Sequence, residues 1–297
     1  DQSIKAKPLH AFSANPAYRI PPVVSRWGMT ASAPANVGMN PAKGAVINFY
    51  AGAVTDSSTG SIAVYDKQKK LINRFSSDAK TNPIKLSKGQ NQFVWDMQYP
   101  AAERIDDLIL WNGVPGNITA IPGNYTAVVR VDKDSVEIPF TILADPNYHC
   151  SQQDYEAQLD FLLQVQGKFN ETMKAIKDIR GARTQMSDFV SKQGKDCPKE
   201  VKQMADSLTK ALTSVEEKLH QTKAKSGQDV LNFPIRLDDK LGGVFDMASS
   251  GNMAPSKQAK EVYAELSAQV DTEIKTLKGI LDNGLKAFNQ LVREKAL

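Results

Sequence analysis

Between residues 44 and 147, short apolar runs alternate with turn residues, a pattern typical of β-strands. Ile62 and Val64, like Val129 and Val131, are spaced two apart, which is the spacing of a half-buried strand. About six or seven strands in roughly 100 residues predict an immunoglobulin-like β-sandwich. The predicted strands are residues 45–50, 61–65, 71–75, 91–97, 125–131 and 136–143, with hairpin turns at 66–69 and 132–134.

Between residues 151 and 297, apolar residues recur every three or four positions instead. This spacing gives each helix a narrow apolar stripe, and three such stripes predict an antiparallel bundle of three long helices. The three stripes include Tyr155, Leu159, Leu162, Phe169, Met173 and Ile176; Val201, Met204, Leu208, Leu212, Val215 and Leu219; and Tyr263, Leu266, Val270, Ile274, Leu277 and Leu281.

The ends of these helices are marked by residues that start or stop helical structure. The first helix is predicted over 152–193, and Gly194 and Pro198 end the pattern and restart it. Ser256 is a candidate N-cap of the last helix. A short helix is also predicted over 241–245, capped by Asp238 or Asp239.

Residues 1–43 hold many of the prolines of the chain, which predicts an extended segment, because proline fixes φ and removes a backbone donor. Apolar residues such as Leu9 and Phe12 predict that this segment lies along a surface, either of this chain or of a missing neighbour. The sequence therefore predicts an α+β, multidomain protein with an extended Pro-rich linker or docking segment (1–43), an Ig-like β-sandwich (44–147) and a helical bundle (148–297).

Composition and charge exclude several classes of protein. With 297 residues, 41% hydrophobic and 24% charged, the chain has the composition of a globular protein of two domains rather than of a disordered chain. No apolar window is long enough for a transmembrane segment. The 37 basic and 33 acidic residues give no concentrated basic patch for nucleic acid. The N-terminus has neither a start methionine nor a signal peptide, which indicates the interior of a longer protein.

Two cysteines and three histidines provide little metal or redox chemistry. A helix over 152–193 would be roughly 60 Å long, which would place Cys150 and Cys197 at opposite ends and so predicts two free thiols. His149 beside Cys150 could form half of a metal site, but no second pair of ligands is present. We expect no metal and no cofactor.

The candidate catalytic groups do not form a recognisable reaction centre. No Gly-x-Ser-x-Gly nucleophile motif occurs, and Gly242-Gly243 lacks the preceding strand and the lysine of a phosphate loop, so it is predicted to permit a close crossing of chains. Glu216-Glu217 is predicted to lie on a solvated helix face. Asp106-Asp107 is predicted to lie in a loop and to bind either a cation or nothing, and Asp132-x-Asp134 is predicted to form a hairpin turn.

Aromatic residues give the remaining candidates for binding. Trp27 and Trp111 are the two tryptophans expected to be partly exposed, and either could stack on a sugar or a partner protein; the alternative is that they only pack the linker and a loop. Phe93, Trp95 and Tyr125 are predicted to form the aromatic core of the sandwich.

Four stretches resemble one bacterial family. They are residues 38–47 (GMNPAKGAVI), 89–100 (GQNQFVWDMQYP), 108–113 (LILWNG) and 121–126 (IPGNYT). Together they resemble the C-terminal region of exported bacterial proteins that carry a sortilin-like, BNR-repeat β-propeller and are commonly labelled glycosyl hydrolases. Lys43, Gln92 and Gln98 depart from the pattern at the surface, and no propeller motif is present.

The resemblance implies a non-catalytic accessory or scaffold region that docks on the β-propeller of its parent protein, exported to the periplasm, the outer cell surface or the medium. The parent could be a glycoside hydrolase, whose catalytic carboxylates would lie on the propeller. Two alternatives remain open: a carbohydrate- or protein-binding module, and a helical assembly module of a cell-envelope complex.

Overall fold

The computed structural model describes residues 2–20, 36 and 42–295 of an α+β chain. The chain divides into two compact units. The β unit comprises Asp1–Pro100, Asn117–Leu159 and Gly251–Met253, and the helical unit comprises Ala101–Gly116, Asp160–Ser250 and Ala254–Leu297.

In its described residues, the β unit contains two sheets, of three and five strands. The first has the order β1-β3-β6 and the second the order β2-β8-β7-β4-β5, and every pairing is antiparallel except β2 with β8. All six predicted strands are confirmed. The strands are β1 (Leu9–Ala11), β2 (Ala17–Arg19), β3 (Ala45–Ala51), β4 (Gly60–Tyr65), β5 (Leu71–Ser76), β6 (Gly89–Trp95), β7 (Gly123–Val131) and β8 (Asp134–Ala144).

Alternate residues of the strands face one common core. In β3, Ala45, Ile47, Phe49 and Ala51 are buried and the residues between them are partly exposed, as the period of two requires. Residues of both sheets belong to the same apolar cluster, so the two sheets bury one another's inner faces.

The three aromatic residues predicted for this core lie in or against it. Trp95 is fully buried, Tyr125 is buried, and Phe93 is partly buried against the cluster. The Trp95 ring meets the Tyr125 ring edge-on, with 5.9 Å between centroids. The Tyr125 hydroxyl donates to the carbonyl of Ile121 at 2.7 Å.

The described part of the N-terminal segment is built into both sheets. After a one-turn helix, α1 (Gln2–Lys5), β1 pairs with β3 and β2 pairs in parallel with β8. The chain therefore lies along a surface of this molecule over residues 9–19, one of the two surfaces predicted for it.

The helical unit is built mainly from long helices. The predicted first helix, residues 152–193, is confirmed in full, and so are the stop at Gly194 and the restart after Pro198. Ser256 is an N-cap, as predicted, because its hydroxyl accepts from the Ala259 N–H at 3.1 Å. The helices are α2 (Gln152–Gln193), α3 (Lys199–Leu219), α4 (Leu237–Ser249), α5 (Lys257–Gly279) and α6 (Lys286–Glu294), with a π-helical turn, Ile280–Leu285, between the last two.

Side-chain pairs show the directions of the helices. Arg180 and Arg183 of α2 meet Glu216 and Thr213 of α3 in reverse order, so these two helices run antiparallel. Phe161 of α2 contacts Tyr263 of α5, and Phe189, further along α2, contacts Phe288 of α6. The partners follow the same order along the chain, so α2 and the α5–α6 rod run parallel. Among the residues that the structure describes, no helix has both the length and the apolar composition needed to cross a bilayer.

Candidate functional site

The loop of residues 101–116 belongs to the helical unit and is fastened to its helices at several points. The Glu103 N–H donates to the Asn170 side chain at 2.7 Å, and the Glu103 carboxylate pairs with Lys177 of α2 at 2.7 Å. Further along the loop, Asp107 accepts from Arg180 at 2.7 Å. The loop thus has a fixed course before it reaches Trp111.

Asp239, in the first turn of α4, fixes the backbone at the tip of this loop. Its buried carboxylate accepts from the Trp111 N–H at 2.8 Å and from the Asn112 N–H at 2.7 Å. The Asn112 side chain in turn donates to the Asp239 carbonyl at 2.9 Å. Hydrogen bonds to an ionised carboxylate are among the stronger ones in proteins, so the tip of the loop is held rigidly.

Two glycines of α4 allow the loop to approach this closely. A Cβ on Gly242 would lie 2.8 Å from the carbonyl oxygen of Gly113, and one on Gly243 would lie 3.2 Å from the Asn112 side chain. The prediction that Gly242-Gly243 permits a close crossing of chains is therefore confirmed.

Trp111 is presented to solvent by this anchored loop. Its residue surface is 54% exposed although its backbone is tied to a buried carboxylate. An aromatic ring on a rigid backbone loses little conformational entropy when it binds a ligand. Trp27, the other tryptophan predicted for binding, lies outside the described residues.

Asp238 and His220 form a buried pair beside this loop anchor. The His220 Nδ1 and the Asp238 Oδ2 are 2.7 Å apart, and both residues are buried. Burial raises the pKa of Asp238, although its hydrogen bond with His220 acts in the opposite direction. The Asp239 N–H also donates to Asp238, at 2.7 Å.

The prediction that Asp238 or Asp239 caps the short helix was therefore wrong. The N-cap position belongs to Arg236, which makes no side-chain cap bond, and α4 starts at Leu237, four residues before the predicted helix. Both aspartates lie inside the first turn, where a carboxylate is favoured by the helix dipole, and their side chains bind other parts of the helical unit instead.

Glu216 is a second buried carboxylate with two cationic partners. It accepts from Arg180 at 2.7 Å and from Arg183 at 2.5 Å, and Arg183 also donates to Thr213 at 2.7 Å. Burial alone would lower the pKa of Arg180, but its bonds to Glu216 and Asp107 raise it overall. These groups line an open surface cavity of about 410 Å³ in which two carboxylates balance two arginines.

The predicted solvated face at Glu216-Glu217 was thus half wrong, since Glu216 is only 1% exposed and Glu217 is exposed. The sequence contained a signal for this. The apolar stripe of α3 includes Leu212, four residues before Glu216, Val215, one residue before it, and Leu219, three residues after it. Glu216 therefore lies within this stripe.

The other acidic groups also have local partners. Asp106 pairs loosely with Arg104, at 3.5 Å on the surface. Asp132 lies in the predicted hairpin turn, where its carboxylate accepts from the Thr59 N–H at 2.9 Å. Within the described ranges 2–20, 36 and 42–295, no group of three or more histidine, cysteine, aspartate or glutamate side chains is placed to hold a metal ion. Cys150 and Cys197 are free thiols.

Comparisons with known proteins do not identify the chain. No family profile matches it, and no curated protein matches it. One solved chain, named pT26-6p, is 12% identical; the alignment covers 79% of this chain and 46% of that chain, with a TM-score of 0.17. This chain thus spans less than half the length of that one, and a likeness at that TM-score carries no argument about fold or function.

Proposed function

We propose that this chain is a non-catalytic accessory region that supports the β-propeller of an exported parent protein. The observation that carries the proposal is the use of the acidic groups of the helical unit. Asp107 and Glu216 bind arginines, Asp239 binds two backbone amides, and Asp238 binds a histidine. Each of these carboxylates fastens one segment of the unit to another.

This use of acidic groups differs from what hydrolysis of a glycan requires. A glycosidase places two carboxylates on opposite sides of one sugar bond, roughly 5–10 Å apart and accessible to substrate. Asp238 and Asp239 are adjacent and buried, so they cannot enclose a sugar between them. The arrangement favours a structural role for the acidic groups of the helical unit.

We propose further that the β unit is an Ig-like sandwich. With β3 and β6 as strands B and E, and with β4, β7 and β8 as strands C, F and G, the order of both sheets agrees with that fold. The bond from the Tyr125 hydroxyl to the carbonyl four residues upstream supports it, because it has the form of a tyrosine corner. One difference is that Trp95 lies on β6 and not on strand C.

The proposed link to a propeller and to export rests on the four sequence stretches that resemble the bacterial family. The gene upstream of the Asp1 codon tests it. We expect that region to encode repeated blades with Ser-x-Asp-x-Gly-x-Thr-Trp motifs, and we expect the encoded propeller, expressed separately, to co-elute with this chain in size-exclusion chromatography. An upstream region without such repeats, or a propeller that does not bind, would contradict the proposal.

A second candidate function is favoured by the geometry of Trp111. We propose that the anchored loop can act as a binding platform for a carbohydrate, because a flat, exposed aromatic face on a rigid backbone suits stacking against a sugar ring. The rigidity comes from the three hydrogen bonds between Asp239 and the loop.

Glycan-array binding followed by calorimetry tests this platform. We expect Trp111→Ala to abolish binding, and Asp239→Asn to weaken it, because an amide offers only one acceptor oxygen to the two loop N–H groups. Tyr148→Ala is the matched control, since Tyr148 is an exposed aromatic residue of the β unit. Binding that survives Trp111→Ala would remove this candidate.

A further inference from the structure

A small cavity of the helical unit collects positive charge from three elements. It has a volume of about 290 Å³ and lies between the end of α3, the start of α4 and the middle of α5. Its charged lining consists of Lys218, Arg236, Lys240 and Glu273. Three cations thus face one carboxylate, which leaves two positive charges uncompensated.

The pairing within the cavity identifies which cations are available. Lys218 donates to both oxygens of the buried Glu273, at 2.9 and 3.1 Å, so this lysine and the carboxylate satisfy one another. Arg236 and Lys240 are exposed, and neither forms an ion pair with any residue that the structure describes. These two side chains therefore supply donors that no described residue of the chain accepts.

The carboxylates nearest in sequence do not neutralise these cations. Asp238 and Asp239 lie between Arg236 and Lys240, yet Asp238 bonds with His220 and Asp239 with the backbone of Trp111 and Asn112. In the cavity at Arg180 and Arg183, by contrast, Glu216 and Asp107 balance the arginines. An excess of positive charge therefore distinguishes the cavity at Arg236 from the cavity at Arg180 and Arg183.

We propose that this cavity binds a small ligand through a carboxylate, sulfate or phosphate group, with Arg236 and Lys240 as its cationic contacts. Arginine presents planar, paired donors to such an oxyanion, and lysine adds a mobile ammonium. The Gln269 amide also lines the cavity; it donates one N–H to the Glu265 carboxylate at 3.1 Å, and its second N–H is a neutral donor for the ligand. A volume of about 290 Å³ is at the small end for ligand sites, which suits one inorganic anion or one acidic sugar.

Calorimetric titration of the full chain with inorganic phosphate, with sulfate and with D-glucuronate tests the site. We expect at least one of them to bind with a Kd of about 1 mM or tighter at low ionic strength, and more weakly as sodium chloride is added. A preference for glucuronate would identify a sugar acid as the source of the anion, and a preference for phosphate or sulfate would identify a free ion. Absence of binding by all three would overturn the proposal.

Variants that remove the same charge at different places distinguish a specific site from nonspecific electrostatic attraction of the anion. We expect Arg236→Gln with Lys240→Gln to weaken binding at least about tenfold, because two charge-assisted contacts are lost. The control is Lys210→Gln with Lys260→Gln, which removes the same charge at exposed positions of α3 and α5 outside the cavity. An equal loss in both double variants would contradict the site.

A third variant predicts a change of the opposite sign. Glu273→Gln removes the one carboxylate among the described residues that line the cavity and frees the ammonium of Lys218, so we expect binding to become several-fold tighter. Weaker binding in this variant, while its thermal unfolding shows that it is folded, would count against the proposal. None of these outcomes depends on a propeller or on Trp111, so the tests are independent of those above.

Discussion

At the scale of the residue, Glu216 shows how a single carboxylate ties two helices together. It lies in α3 and binds both Arg180 and Arg183 of α2. Removing one partner of a buried ion pair lowers the free energy of unfolding by more than the intact pair raises it, because the remaining charge is left without its counter-ion.

We expect Glu216→Gln to lower the free energy of unfolding by about 2–3 kcal/mol, below the value for a fully buried pair because both arginines are partly exposed. Glu217→Gln is the control: it makes the same change one residue away, on the exposed face, and should cost less than about 0.5 kcal/mol. Urea unfolding measures both. Equal losses in the two variants would contradict the role given to Glu216.

Cys150 gives a second test at this scale, through its pH dependence. Partial burial, together with the negative charge of Asp154, raises the pKa of the thiol above its ordinary value of 9.0. Because only the thiolate is alkylated, the rate of reaction with iodoacetamide should still be rising at pH 9. Cys197→Ser leaves Cys150 as the single thiol for this measurement. A rate that reaches its plateau below pH 8.5 would contradict the environment described for Cys150.

At the scale of the element, the crossing of α4 and the loop depends on the absence of a side chain. Gly242 lies where a Cβ would be 2.8 Å from the Gly113 carbonyl, whereas a Cβ on Gly181 in α2 would meet no atom within 4 Å. The two positions are both helical, so they share the intrinsic preference of a helix for alanine over glycine.

The two glycines should therefore respond in opposite directions to the same substitution. We expect Gly242→Ala to lower the free energy of unfolding by about 1–3 kcal/mol, because the loop must move away from the helix. Gly181→Ala should raise it by about 0.5–1 kcal/mol through helix propensity alone. Thermal and urea unfolding compare them. Stabilisation by Gly242→Ala would show that the loop does not approach α4 so closely.

Most elements of this chain could be predicted from the sequence because apolar periodicity is a local signal. The six strands between residues 44 and 147 and the 42-residue helix α2 follow directly from periods of two and of three to four, whereas β1 and β2 were not predicted. The buried polar pairs could not be predicted in this way, since their partners are remote: Asp239 and Asn112 are 127 positions apart. Glu216 is the exception, because its place within the apolar stripe was visible in the sequence.

At the scale of the whole molecule, the two units are held together internally in different ways, by charged groups in the helical unit and by an apolar core in the β unit. In the helical unit, buried carboxylates hold a loop, a short helix and three long rods, the third rod through the pair of Glu273 with Lys218. The β unit relies on an apolar core that contains Trp95 and Tyr125. We therefore expect this chain to act by binding through exposed side chains such as Trp111, and not through a reaction centre.

A direct test of the non-catalytic role is to incubate the purified chain with a panel of polysaccharides and glycans and to measure the sugar that is released. We expect no release above the buffer control, for the unchanged chain and for variants in which Asp106 and Asp107, or Asp238 and Asp239, are replaced by asparagine. Release that is lost in one of these variants, at a temperature where circular dichroism shows it to be folded, would contradict the account.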